Sequence, residues 1–141
     1  MRLMPAVECR ISARASWERV YLRALADDPV DSNPELYRVV MENDRVRVLE
    51  YQDRPGDRTA PHGHPDSVMI TLSSFRRRLI QGDRSVEVEL SDGTIRWLEA
   101  QEHAGENIGD TESRSIFVEL KEPGPTSGTA DDDLVLGPYD G

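Results

Sequence analysis

His62 and His64 are two of only three histidines in a 141-residue chain, and a single residue separates them. Side chains at i and i+2 of an extended strand leave it on the same face, so both imidazoles can aim at one point. They lie in the stretch Gly56-Asp57-Arg58-Thr59-Ala60-Pro61-His62-Gly63-His64-Pro65-Asp66-Ser67-Val68. The third histidine, His103, stands far along the chain in Gln101-Glu102-His103-Ala104-Gly105-Glu106-Asn107. A fold that lays the second stretch against the first completes a three-imidazole set, and neutral imidazole is a common ligand for divalent transition metals. The competing reading is a histidine trio that only hydrogen-bonds. Imidazole donors alone do not choose among Fe(II), Zn, Ni, Mn and Cu.

The elements that must position these residues read as short strands. Leu36–Met41 and Val46–Gln52 are β-rich runs joined by the turn Glu42-Asn43-Asp44-Arg45, the pattern of a hairpin. Arg54-Pro55-Gly56-Asp57 turns the chain into the His62/His64 strand and its continuation Val68–Leu72. By parity the histidine face continues through Asp66, Val68, Ile70 and Leu72, which predicts that the site opens into an apolar interior. Phe75–Ile80 follows, and then Val86, Val88 and Leu90 alternate with Glu87 and Glu89, one face dry and one wet. Thr94–Leu98, the His103 segment and Ser115–Leu120 complete the series, the last with Ile116, Val118 and Leu120 on one face. Roughly seven to nine strands with turns about every eight to twelve residues indicate an all-β sandwich or barrel.

Outside the strands, Ser16 reads as an N-cap, followed by Trp17, Val20, Tyr21, Ala24 and Leu25 at helical spacing up to Asp27-Asp28-Pro29. The expected organisation is an N-terminal extension over 1–33 with a helix at about 16–27, a barrel over 34–121, and an acidic, flexible tail over 122–141. That tail carries five acids and no Lys or Arg. The net charge of −10 argues against nucleic acid and against an anionic membrane surface, since phosphate binding needs clustered cations. Cys9 is the single cysteine, which excludes an intrachain disulfide and a multi-cysteine zinc site. No apolar run has the length of a signal peptide or a membrane span, so the expected location is cytoplasmic.

Gly56, five residues, and then His62-Gly63-His64 resemble the first motif of the cupin superfamily, and His103 with Asn107 resembles the end of the second. His64-Pro65-Asp66-Ser67-Val68 and Glu106-Asn107-Ile108-Gly109-Asp110 are similar to small single-domain bacterial cupins of the β-alanine-degradation type. The resemblance spans about residues 34–121. It implies a double-stranded β-helix, a jelly-roll barrel with the metal inside its open end. Two departures stand out. The metal-binding Glu that usually follows the second His of the first motif is replaced by Val68 and Met69, and the Pro-x-Gly ahead of the second-motif His by Leu98-Glu99-Ala100.

Three histidines without that carboxylate leave the ion its full charge and an extra open position. With Fe(II) this suits dioxygenase chemistry on a small organic acid or carbonyl compound; with Zn, Mn or Ni it suits isomerase, cyclase or lyase chemistry. A non-catalytic cupin that binds a small ligand or serves as a regulatory subunit is the reading from another class. Glu99 and Gln101 precede His103 by four and two residues and are the candidate catalytic residues, Glu99 as a general base and Gln101 as a fourth ligand or an orienting group. Asp66 is a candidate partner for an imidazole N–H, or a turn cap. Tyr51 and Trp97 are candidate substrate-binding wall aromatics. Arg76-Arg77-Arg78 reads as a solvated face, but alternation sets the middle residue opposite the other two, so that one of the three can meet a substrate carboxylate. Sheet edges in such a barrel need covering, and a homodimer is expected. Light scattering should therefore return twice the 15.9 kDa chain mass; the mass of one chain counts against the dimer.

Overall fold

A computed structural model describes residues 27–122 and 134–140. The helix expected at about 16–27 lies almost wholly outside these residues. The described chain opens with a single helical turn, α1 (Pro29–Ser32), capped by Asp28, whose Oδ1 accepts from Val30 N at 2.9 Å. Proline at the first helical position removes an N–H that would have no partner there.

Nine antiparallel strands follow: β1 (Tyr37–Glu42), β2 (Val46–Asp53), β3 (His62–His64), β4 (Ser67–Thr71), β5 (Phe75–Gln81), β6 (Arg84–Leu90), β7 (Ile95–Leu98), β8 (Gln101–Asn107) and β9 (Ser113–Leu120). They form two sheets, one in the order β1-β2-β9-β4-β7 and one in the order β3-β8-β5-β6. The β1–β2 hairpin turns where the sequence predicts, because Asn43 Oδ1 accepts from both Arg45 N (2.8 Å) and Val46 N (2.9 Å). Between the sheets lies a core of Tyr37, Leu49, Tyr51, Met69, Phe75, Leu98 and Phe117.

The predicted phase fails at two strands. The histidine strand does not run on into β4; β3 pairs with β8 in one sheet, whereas β4 pairs with β7 and β9 in the other. Pro65 has no N–H to continue a ladder, and the chain changes sheets there, so parity is not carried across. Ser67, Met69 and Thr71 face inward, and Val68 and Ile70 face outward. In β9 the buried face is Ser113, Ser115, Phe117 and Glu119, while Ile116, Val118 and Leu120 lie on the other. The outward side chains join into an apolar row across the five-stranded sheet, Met41–Val48–Val118–Val68–Trp97 in register. Two apolar faces on one sheet make alternation ambiguous, and the polar residues of β9 proved to be the buried ones.

A second correction concerns the C-terminus. Residues 134–140 are not part of a free tail: they lie against β7 and β8, where Trp97 and Tyr139 exchange backbone hydrogen bonds of 2.8 and 2.9 Å.

Deep between the sheets sits a buried polar group of residues. Asp53 pairs with Arg77, accepts from the Tyr51 hydroxyl, and accepts from Asn107 Nδ2 at 3.0 Å and Ser113 N at 3.3 Å. The Arg77 guanidinium lies over the Tyr51 ring, 4.9 Å from its centroid. It fits because β8 carries a glycine there; a Cβ on Gly105 would come 2.6 Å from Arg77 Nη2. Removing one partner of a buried ion pair strands the other charge, so Asp53→Asn should lower the unfolding free energy by about 3–5 kcal/mol. Arg76→Ala, which breaks only the exposed contact to Glu87, should leave the urea midpoint where it was. A similarly small effect at Asp53 would show that the buried pair contributes little.

Candidate metal centre

The short strand β3 pairs with β8 so that His62 faces His103, Gly63 faces Glu102 and His64 faces Gln101. Directly opposed residues in an antiparallel pair put their side chains on the same face. The two strands therefore bring all three imidazoles together, with ring centroids 4.8, 5.0 and 5.2 Å apart. One ring nitrogen from each lies within 4.8 Å of the others, and all three residues are buried.

Hydrogen bonds define the tautomers of two rings. His62 Nδ1 lies 2.8 Å from the Ala60 carbonyl oxygen; a carbonyl can only accept, so Nδ1 carries the proton and Nε2 the lone pair. The Tyr37 hydroxyl stands 3.2 Å from that Nε2. His103 Nδ1 lies 2.9 Å from Gln101 Oε1, which likewise leaves the Nε2 lone pair for a ligand. His64 is completely buried, and neither of its nitrogens has a hydrogen-bond partner. Glu119 Oε2, also buried and unpartnered, lies 3.8 Å from His64 Nδ1. The other Glu119 oxygen accepts from Arg47 Nε and Nη2 at 3.1 and 2.9 Å.

Burial holds the His62 and His103 rings neutral. Desolvation, with the His64 ring next in weight, lowers the His62 pKa to about 3. Desolvation followed by His64 and His62 places that of His103 well below its ordinary value. The Tyr37 hydroxyl is pushed up, chiefly by desolvation, and stays protonated. Buried polar atoms without partners are costly, at about 1–3 kcal/mol each. The unpartnered His64 imidazole, beside the Nε2 of His62, met only by the Tyr37 hydroxyl, and the Nε2 of His103, forms a deficit that a bound cation satisfies. The residues present therefore fit a divalent metal held by His62, His64 and His103.

Beside the histidines lies a small cavity of about 40 Å³, lined among others by Tyr37, Tyr51, His62, Arg77, His103 and Pro138. Tyr51 and Arg77 thus reach the interior; alternation sets Arg77 opposite Arg76 and Arg78, and the structure shows that its side is the inner one. Trp97 pairs with Tyr139 at the sheet edge and Glu99 accepts from the Tyr139 hydroxyl at 2.7 Å; neither lines this cavity. Gln101 supports His103 from behind. Asp66 serves as a corner tie, its Oδ1 accepting from Ala100 N at 2.9 Å. Sequence reasoning missed Tyr37 and Glu119. Nothing in the linear pattern marks Tyr37, and the inverted phase of β9 hid Glu119, whose carboxylate stands beside His64.

Similar folds are found among solved structures. A cupin domain from Bordetella pertussis Tohama I is 30% identical with a TM-score of 0.58; the match covers 62% of this chain and 93% of that one. The chain belongs to the cupin superfamily. A double-stranded β-helix domain from Klebsiella pneumoniae is 24% identical, with a TM-score of 0.51 and coverage of 65% and 79%. An RmlC-like cupin from Methanocaldococcus jannaschii is 13% identical, with a TM-score of 0.50 and coverage of 60% and 78%. No family model matches the chain, and no curated protein matches it. Among the described residues of this cupin no helix is long and apolar enough to cross a membrane.

Buried neutral histidines make stability depend on pH. The unfolded chain takes up protons below the ordinary histidine pKa of 6.5, whereas folded His62 resists them to about 3. Unfolding free energy of chelator-treated protein should thus be full above that upper value and fall as pH drops through the window. The slope is at most about 1.4 kcal/mol per pH unit for each such histidine. Urea titrations of the parent and of His62→Gln across this window check it, and the variant should show the shallower slope.

Proposed function

We propose that this cupin is a metal-dependent enzyme that acts on a small organic acid or carbonyl compound, with Fe(II)-type oxidoreductase chemistry as the leading reading. The observation that carries the proposal is the meeting of three buried imidazoles beside an unpartnered carboxylate oxygen. His62, His64 and His103 hold the ion. Bound there, a divalent metal supplies Lewis acidity, and as Fe(II) it supplies oxygen chemistry. The segments 64–68 and 106–110 support kinship with bacterial cupins of the β-alanine-degradation type.

The chain's own groups have definite tasks in this reading. Tyr37 holds a proton at its hydroxyl beside His62 Nε2 and is placed to give it to a substrate oxygen. Arg77 lines the same cavity and offers positive charge there, and Asp53, held by Tyr51 and Asn107, fixes the guanidinium in place. Tyr51 forms a wall for the substrate. Met69, Phe75 and Phe117 line the cavity with apolar surface, which excludes water and strengthens every charge interaction inside. The small volume favours a substrate of few atoms. Gln101 orients His103 and is a positioning residue. Isomerase, cyclase or lyase chemistry with Zn, Mn or Ni uses the same residues, with Tyr37 as the proton donor.

Elemental analysis of untagged protein should find close to one equivalent of a divalent transition metal, reduced at least about tenfold in affinity by His64→Ala, which removes one of three ligands. Less than about a tenth of an equivalent after reconstitution ends the metal reading, because sites of this ligand type bind tightly. With metal present, substrate-dependent O2 uptake by the Fe(II) form supports oxidation. Turnover of small carboxylic acids without O2 uptake supports the isomerase or lyase branch.

A further inference from the structure

The C-terminal segment 134–140 connects to the metal centre through one side chain. Gln101 Oε1 accepts two hydrogens, from His103 Nδ1 and from Gly137 N, both at 2.9 Å. Its Nε2 donates to two carbonyls, Val135 O at 3.0 Å and Glu99 O at 3.1 Å. The segment is anchored beyond Gln101 as well. Arg84 Nη2 donates to Leu134 O at 2.8 Å, Leu136 is 5% exposed, and Trp97 and Tyr139 pair through their backbones. Pro138 lines the cavity.

An amide has two faces of opposite hydrogen-bonding sense, and rotating it by half a turn exchanges them. Here the strap removes that choice. With Gly137 N–H on one side and the Val135 carbonyl on the other, a rotated Gln101 would set donor against donor and acceptor against acceptor. His103 must then be the Nδ1–H tautomer, whose lone pair sits on Nε2. Without the strap only the Glu99 carbonyl still favours this orientation, and a rotated amide can donate to Nδ1, which moves the imidazole proton to Nε2 and blocks that nitrogen as a ligand.

We propose that the strap 134–140 is a positioning element of the metal centre: by fixing the Gln101 amide it selects the His103 tautomer that presents Nε2. This rests on the metal reading above, but the selection itself is a property of the protein without metal. A structural role in covering the sheet edge alone predicts no effect on the tautomer.

Two full-length variants unseat the strap by different routes. In Gly137→Val the backbone φ of +88° is strained for any side chain, and its Cβ would lie 2.5 Å from Leu79 Cδ1. In Tyr139→Pro the N–H that donates to the Trp97 carbonyl at 2.9 Å is lost. Trp97 fluorescence reports the unseating, and 15N NMR of metal-free protein above neutral pH reports the tautomer. The parent should show a single Nδ1–H signal for His103, and both variants a mixture. Zn affinity should fall about tenfold in each, the size typical of a lost partner behind a ligand. In Gln101→Leu the link is already cut, so adding Gly137→Val should cost no further affinity. An unchanged tautomer in both unseated variants, or full additivity in the double variant, overturns the proposal. A parent that binds no Zn, with the tautomer shift still seen in the two unseated variants, refutes the metal reading and leaves the strap's role standing.

Discussion

The register between β3 and β8 is the constraint on which the site depends. Three residues of β3 pair with β8, and His62 opposite His103 with His64 two places on is what turns two distant segments into one cluster. A slip of one residue would turn the histidines to the other side of the sheet. Several contacts outside the pair hold that register. Gly63 N donates to Asp27 O at 2.8 Å, and Thr59 N to Gly105 O at 2.9 Å, so the loop before β3 is tied to β8 as well. Thr59 Oγ1 returns the contact by accepting from Gly105 N at 2.7 Å.

Bringing imidazoles together in a dry interior has an electrostatic consequence. His62 and His103 cannot charge without losing water and opposing their neighbours, so these two rings remain lone-pair donors over the ordinary range of pH. Two are then aimed by acceptors on the side away from the cluster, Ala60 O for His62 and Gln101 Oε1 for His103. The carboxylate of Glu119 stands near the third. The interior therefore contains both basic nitrogen lone pairs and a buried guanidinium held by Asp53. Tyr37 lies between hydrophobic packing and chemistry, since its ring packs 4.6 Å from that of Tyr51 while its hydroxyl meets His62.

The termination of the chain also matters to this interior. A two-sheet sandwich leaves sheet edges, here β7 in one sheet and β6 in the other. The strap satisfies backbone groups of β7 and packs Gly137 against Leu79. Because it uses Gln101 to do so, coverage of an edge and the orientation of a ligand share one amide. Edge protection of this kind is common; its tie to a site histidine is particular to this arrangement.

Residue type and local order determined the strand content, the hairpin turn at Asn43, the setting of Arg77 opposite Arg76 and Arg78, and the three histidines as a set. Alternation and motif spacing are properties of a few neighbouring residues, so one chain suffices to reveal them. The phase of β4 and β9, the presence of Glu119 and Tyr37 at the site, and the seat of residues 134–140 were decided only by tertiary structure. Outward Val68, Ile116 and Val118 are as apolar as an interior, and the buried Ser113, Ser115 and Glu119 are polar. Which face is inside depends on partners distant in sequence: Arg47 for Glu119, His62 for Tyr37, Gln101 for Gly137. A polar side chain is stable in a core when something meets it there, and that meeting is made by the fold.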